Sequence, residues 1–104
     1  MKPADSRGPE MLRTQEPIHR SRILTLLAEQ ADGTLTAEEC LRLLEERYGH
    51  LLNEIDLEEH SRGVKKWITR ARKSSSLMFQ EGLIERPSRG TWKLTALGWA
   101  EARK

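Results

Sequence analysis

Basic side chains recur along one stretch of this chain at a spacing that suits one side of a helix. Arg62, Lys66, Arg70 and Lys73, with the hydroxyl of Thr69 among them, lie one to four positions apart. At about 100° per residue they fall on or near the side opposite an apolar stripe. Such side chains donate hydrogen bonds to phosphate oxygens, and arginine can read a guanine edge with two parallel bonds. The spacing therefore indicates a nucleic-acid contact, with Arg70 as the candidate for guanine. A solvated charged face is the alternative interpretation.

A second basic group brackets a tight turn. Residues 83–94 predict two antiparallel strands joined by a turn, with Arg86, Arg89 and Lys93 in or beside that turn. An arginine at the tip of such a hairpin suits a minor groove, where negative potential is focused. The alternative is a hairpin whose charges serve only solubility. Gly90 is explained by a turn that requires a positive φ.

Patterns typical of catalysis or metal binding do not occur. His19, His50 and His60 are far apart, and Cys40 is the single cysteine. They give neither metal-ligand spacing nor a cysteine–histidine nucleophile. Residues 54–59 are acidic but lack the glycine and the spacing of a calcium loop. We therefore expect no enzymatic activity, no metal and no cofactor, and we interpret Cys40 as a buried thiol among leucines.

The elements that must position the basic groups are predicted from local signals. A first helix is expected from Pro17 to about Gln30, because proline suits the first helical turn. Thr36 and Glu39 form a capping box that begins a second helix, which runs to about Tyr48. The preceding Thr-Leu pair is expected to form at most one ladder pair. A linker containing a short helical turn follows.

The third helix is predicted over about residues 61–81. Its apolar stripe follows helical spacing and comprises Val64, Trp67, Ile68, Ala71, Ser75, Met78 and Phe79. Ser74 and Ser76 are expected to add hydroxyl contacts to the outward side. After the hairpin, Thr95 caps a last helix that reaches about Ala102. We expect Trp67 and Trp92 in the core. Trp99 either closes the core or forms a patch for a partner or a second copy.

Composition and charge agree with a soluble domain that meets a polyanion. The chain has 104 residues and a net charge of +2. Residues 1–60 carry 7 basic and 13 acidic side chains, whereas residues 61–104 carry 11 and 3. We expect residues 1–16 to be a flexible tail and residues 17–104 to be one domain. Without a secretory signal, a membrane span or a disulfide, we expect a cytoplasmic protein.

Three helices, a hairpin and a short C-terminal helix predict a mainly helical α+β fold, the winged helix-turn-helix. The helix before the hairpin is then the recognition helix, and the hairpin is the wing. The chain also resembles the N-terminal winged-helix domain of Mrr-type restriction endonucleases, from about Pro17 to Ala100. The resemblance is strongest over residues 82–98, in the Gly-Leu-Ile entry to the hairpin, the Arg-Gly turn, the tryptophan and the closing Leu-Thr with glycine three residues on.

This resemblance implies double-stranded DNA binding in a bacterial restriction-like or regulatory context, without the nuclease half of such enzymes. The alternative is a winged helix that docks proteins and binds no nucleic acid. A second copy of the chain or a downstream effector domain stays open as a further partner. The charge division between the two halves favours DNA.

Overall fold

Residues 13–59 and 63–104 are described by a computed structural model, and helices dominate them. The helices are α1 (Glu16–Ala28), α2 (Ala37–Tyr48), α3 (Glu54–Leu57), α4 (Lys66–Gln80) and α5 (Ala96–Ala102), with a 3-10 turn at Gly49–Leu51. The strands are β1 (Thr34–Thr36), β2 (Ile84–Glu85) and β3 (Thr91–Leu94). This arrangement confirms the mainly helical α+β class.

Helix α1 begins one residue before Pro17 and ends two residues before the predicted Gln30. The chain then turns at Gly33, whose φ of 69° is a conformation that glycine adopts without strain. The carboxylate of Asp32 accepts a hydrogen bond of 3.2 Å from the backbone N–H of Thr34. This turn delivers the chain into β1, which forms three ladder pairs rather than the single pair expected.

The capping box at the start of α2 is confirmed. The Thr36 hydroxyl accepts a hydrogen bond from the Glu39 backbone N–H, and the Glu39 carboxylate accepts one from the Thr36 N–H, both at 3.1 Å. Cys40 is fully buried, as expected, and this burial raises the pKa of its thiol to about 12. The helix ends at Tyr48, also as expected.

The predicted helical turn in the linker is α3, and it ties down the segment before α1. Asn53 and Asp56 form a second capping box at its start. Asp56 is fully buried, and its two carboxylate oxygens accept hydrogen bonds of 2.7 Å from the backbone N–H and the hydroxyl of Thr14. The chain just before α1 is therefore fixed against α3.

Helix α4 begins later than the sequence predicted. Residues 61 and 62 lie outside the described part of the chain, and residues 63–65 are not helical. Gly63 has a φ of 79°, and Lys65 pairs with Glu59 as an isolated β-bridge, so the helix begins only at Lys66. The buried side of α4 comprises Trp67, Ala71, Ser74, Ser75 and Met78. Val64 and Phe79, expected in the stripe, are 41% and 44% exposed.

The strands form one antiparallel sheet in the order β1-β3-β2. Leu35 pairs with Trp92, and Ile84 pairs with Leu94. Trp92 and Leu94 are buried, because alternate side chains of β3 point to the same face of the sheet. The hairpin predicted over residues 83–94 is therefore present, with a first strand shorter than expected.

Helix α5 docks on the hairpin through a glycine. Thr95 caps it, since the hydroxyl oxygen accepts a hydrogen bond of 3.0 Å from the Gly98 N–H. A Cβ at Gly98 would lie 2.0 Å from the backbone oxygen of Leu83, so only glycine allows this approach. Trp99 is half-buried against the core, and its ring lies over Gly33, where a Cβ would meet it at 2.8 Å.

One core joins these elements, and α1 lies at its centre, packed against α2, α4 and α5. Trp67 and Trp92 are both buried in it, as expected. Arg20 holds α1 to the end of α4, because its guanidinium donates hydrogen bonds of 2.6 and 2.9 Å to the two carboxylate oxygens of Glu81. A hairpin directly after a core-packed helix is compatible with a winged-helix layout.

Candidate nucleic-acid interface

An open groove of about 300 Å³ lies between the start of α2, one side of α4 and the turn that joins β2 to β3. Three arginines line it, namely Arg72 from α4 and Arg86 and Arg89 from the hairpin. Ser76 adds a hydroxyl, and none of the described residues that line the groove is acidic. The lining therefore concentrates positive charge and hydrogen-bond donors on a concave surface, which suits a polyanion.

Arg86 is held against α4 by two contacts. Its guanidinium lies over the ring of Phe79, with the central carbon 4.6 Å from the ring centroid. One of its terminal nitrogens lies 3.4 Å from the hydroxyl oxygen of Ser76. A cation over an aromatic face is attracted by the ring quadrupole. The exposed Phe79 thus serves as a platform that orients the arginine beside the groove.

The turn that carries Arg89 is anchored to the start of α2. Gly90 has a φ of 75°, as the turn geometry predicted, and its carbonyl accepts a hydrogen bond of 2.8 Å from the Ala37 N–H. Within the turn, the Ser88 hydroxyl donates to the hydroxyl oxygen of Thr91 at 2.9 Å. Arg89 is therefore an exposed side chain on a fixed backbone.

Arg72 is the groove residue that the sequence analysis missed. It lies five positions after Trp67, which is about 140° from that buried tryptophan around the helix. That direction is neither buried nor fully opposite the core, and the hairpin packs on this flank of α4. The sequence could have indicated Arg72 as a groove residue, because it lies on the same flank of α4 as Phe79 and Ser76 and shortly before the basic hairpin.

The other predicted side chains of α4 have different surroundings. Thr69 and Lys73 are exposed on the outward side of the helix, as expected. Lys66 is partly engaged, because its ammonium group donates a hydrogen bond of 2.9 Å to the carboxylate of Glu58. Ser74 is fully buried, so its hydroxyl does not reach the outward surface as expected.

Arg70 and Lys93 lie away from the groove, and Arg62 lies outside the described residues. Arg70 is half-buried on the side of α4 that faces α1, with one terminal nitrogen inaccessible to solvent. It therefore does not lie on the outward side that the sequence predicted. Lys93 alternates with the buried Trp92 on β3, so it projects from the opposite face of the sheet, and it lies opposite Glu85 in the register of the β2–β3 ladder.

The comparison with protein families matches residues 20–104 to the Mrr N-terminal domain. The chain belongs to this family. The match runs from α1 to the end of α5 and so includes every residue of the groove. It confirms the resemblance noted in the sequence and associates the chain with restriction systems. Neither a curated protein nor a solved structure shows significant similarity to it.

The described residues of this Mrr N-terminal domain contain neither a cluster of metal ligands nor a membrane-spanning helix. Across residues 13–59 and 63–104, histidine, cysteine and acidic side chains form no group of three or more that would hold a metal ion. Within the same residues, every helix is too short or too polar to cross a lipid bilayer.

Proposed function

We propose that this domain binds double-stranded DNA, with α4 and the β2–β3 hairpin as its contact surface. In this proposal it supplies recognition rather than catalysis, in the cytoplasm of a bacterium and within a restriction or regulatory system. The observation that carries the proposal is the groove in which Arg72, Arg86 and Arg89 converge without an acidic neighbour in its lining.

The exposed side of α4 suits the major groove. A helix fits that groove, and hydroxyl and basic side chains reach both phosphates and base edges from it. Thr69, Lys73 and Ser76 offer such groups beside Arg72. Arg89, at the tip of the hairpin, would then extend to the neighbouring minor groove or its phosphates.

The distribution of acidic residues supports the same orientation. Helix α2 exposes four glutamates, Glu38, Glu39, Glu45 and Glu46, against Arg42 and Arg47, so it is acidic on balance, whereas α4 carries no acidic residue between Lys66 and Gln80. A duplex approaching α2 side-on would meet like charge, whereas one approaching α4 and the hairpin would meet opposite charge. The fold therefore separates a repelling surface from an attracting one.

Fluorescence anisotropy on a generic labelled duplex, measured at several salt concentrations, tests the proposal. With roughly 4 to 6 phosphate contacts, the logarithm of the affinity should fall against the logarithm of the salt concentration with a slope of about −4 to −5. Binding that ignores salt, or no binding at low salt, would contradict the proposal. The second result would favour the alternative, a protein-docking domain.

A further inference from the structure

A second basic cavity lies on the other flank of α4, between this helix and the start of α1. Its volume is about 250 Å³, which is several times the roughly 30 Å³ that one water molecule occupies in the liquid. Arg70 and Lys73 line it from α4, and Arg13, Glu16 and His19 line it from the other side. It shares no lining residue with the groove proposed to bind DNA.

Within residues 13–59 and 63–104, no carboxylate pairs with the cationic side chains that line this cavity. Within the described residues, Arg13, Arg70 and Lys73 form no ion pair. Glu16 is the acidic residue among those that line the cavity, and its carboxylate accepts a hydrogen bond of 3.1 Å from Arg20. Three cations therefore face a space in which the single carboxylate is already engaged.

Buried polar atoms also lack partners here. His19 is only 2% exposed, and its Nε2 forms no hydrogen bond with the described residues. One terminal nitrogen of Arg70 is also buried and forms no hydrogen bond with the described residues. Buried polar groups are nearly always hydrogen-bonded, so two unsatisfied nitrogens on residues that line one cavity mark a polar part of the fold with unmet hydrogen-bonding capacity. The cations beside them select an anionic partner with several acceptor oxygens.

We propose that this cavity binds an oxyanion of the phosphate class, held by Arg70 on its buried side and by Arg13 and Lys73 on its open side. Arginine binds such groups with paired, charge-assisted hydrogen bonds. The oxyanion has two potential sources, a backbone phosphate of a bound duplex or a free phosphate-bearing molecule. The proposal does not rest on DNA binding, because the cavity and the groove share no lining residue, although Lys73 also belongs to the side of α4 proposed to face DNA.

The pKa of His19 should depend on whether an anion is bound in the cavity. Desolvation lowers the pKa of its imidazole, Asp56 and Glu16 act to raise it, and Arg22 and Arg70 act to lower it. An anion bound beside Arg70 would offset the effect of that guanidinium and would raise the pKa of His19. NMR signals of the His19 ring should therefore respond directly to binding.

The test is a titration of the full chain with inorganic phosphate at constant pH and ionic strength, with sodium chloride as the comparison. We expect the His19 signals to shift to saturation with phosphate but not with chloride. Arg70→Gln should weaken phosphate binding about tenfold or more, which corresponds to one charge-assisted hydrogen bond or a pair. Arg42→Gln, which changes an exposed arginine on α2, should bind phosphate like the parent chain.

A shift that does not saturate, or equal affinities for the parent and Arg70→Gln, would overturn the proposal. If circular dichroism shows that Arg70→Gln does not fold, the double variant Arg13→Gln/Lys73→Gln replaces it, since both side chains are exposed. It should weaken phosphate binding by at least about twofold, and unchanged binding would overturn the proposal in the same way.

Repeating the phosphate titration with duplex DNA present identifies the source of the oxyanion. If a backbone phosphate fills the cavity, the duplex itself shifts the His19 signals and blocks the response to inorganic phosphate. If the natural ligand is a free molecule, the response to phosphate persists on the DNA complex. Either result supports the cavity as a phosphate site. A domain that binds phosphate but no DNA would refute only the proposed function.

Discussion

Removing two arginines from the groove should change how DNA binding depends on salt. Arg72→Gln and Arg89→Gln are the informative pair, because both side chains are exposed and neither forms an ion pair within the described residues. Arg86 is less suitable, since its contact with Phe79 also covers an apolar ring. The double variant should keep its fold, because exposed side chains with few packing contacts contribute little to stability.

The expected magnitude follows from counterion release. Each phosphate neutralised by the protein contributes about 0.9 to the slope of log affinity against log salt, so two lost contacts should flatten it by about 1.8. Between 50 and 200 mM salt, a parent slope of about −4.5 corresponds to a loss of roughly 500-fold in affinity. A double-variant slope of about −2.7 corresponds to a loss of only roughly 40-fold over the same range.

Anisotropy titrations of parent, double variant and the control Arg42→Gln at four or more salt concentrations provide the assay. The control removes the same charge from the far side of α2, where Arg42 pairs with Glu46 one turn away. We expect its slope to match the parent. Equal slopes for the parent and the double variant would refute the assignment of the groove as the DNA contact, whatever happened to the absolute affinity.

Four further outcomes are expected. Arg89→Ala should weaken DNA binding by roughly 0.5–2 kcal/mol and leave the thermal midpoint unchanged; an unchanged affinity would remove the tip from the contact surface. Trp92→Ala should lower the free energy of unfolding by about 3–5 kcal/mol in chemical denaturation, and an unaltered midpoint would contradict its burial. Gly98→Ala should destabilise by at least about 1–3 kcal/mol, because the new Cβ meets the Leu83 carbonyl; an equally stable variant would show that α5 docks differently. Burial lowers the pKa of His19 in the folded state below 6.5. The stability that depends on neutral His19 is therefore present above pH 6.5 and is lost as the pH falls from 6.5 towards the pKa of the folded state. His19→Phe should lose less stability than the parent chain over this pH range, as measured by urea midpoints.

Local signals in the sequence predicted the elements well. The Thr36–Glu39 capping box, the Thr95 cap and the glycine at position 90 each depend on a few neighbouring residues, and each is found where it was expected. The first residues of α2 and α5 follow from those N-caps. The predicted start of α4 was wrong because Glu59 and Lys65 form a β-bridge, which keeps the chain extended until Lys66 and which the helical spacing of the side chains does not indicate.

The assignment of side chains around α4 failed where a simple division into inward and outward sides was too coarse. Arg70 lies three positions after Trp67, which is about 60° from it around the helix on one flank, whereas Arg72 is about 140° away on the other. The first flank packs on α1 and the second faces the hairpin. Which flank meets which neighbour is decided by tertiary packing, so the spacing alone did not separate a half-buried arginine from a groove arginine.

Whether a basic side chain contacts a carboxylate indicates its role better than its spacing in the sequence does. A paired side chain joins parts of the fold, whereas an unpaired one is free to meet a ligand. Arg20, Arg47 and Lys66 each contact a carboxylate from another element or a distant turn, and in this way they join parts of the fold. The three groove arginines form no such pair among the described residues, although the protein has 16 acidic side chains. Unpaired like charges on one concave surface repel one another and oppose folding. Their convergence therefore has an energetic cost in the free protein that a bound polyanion would remove, and this cost is the physical argument for the proposed DNA contact.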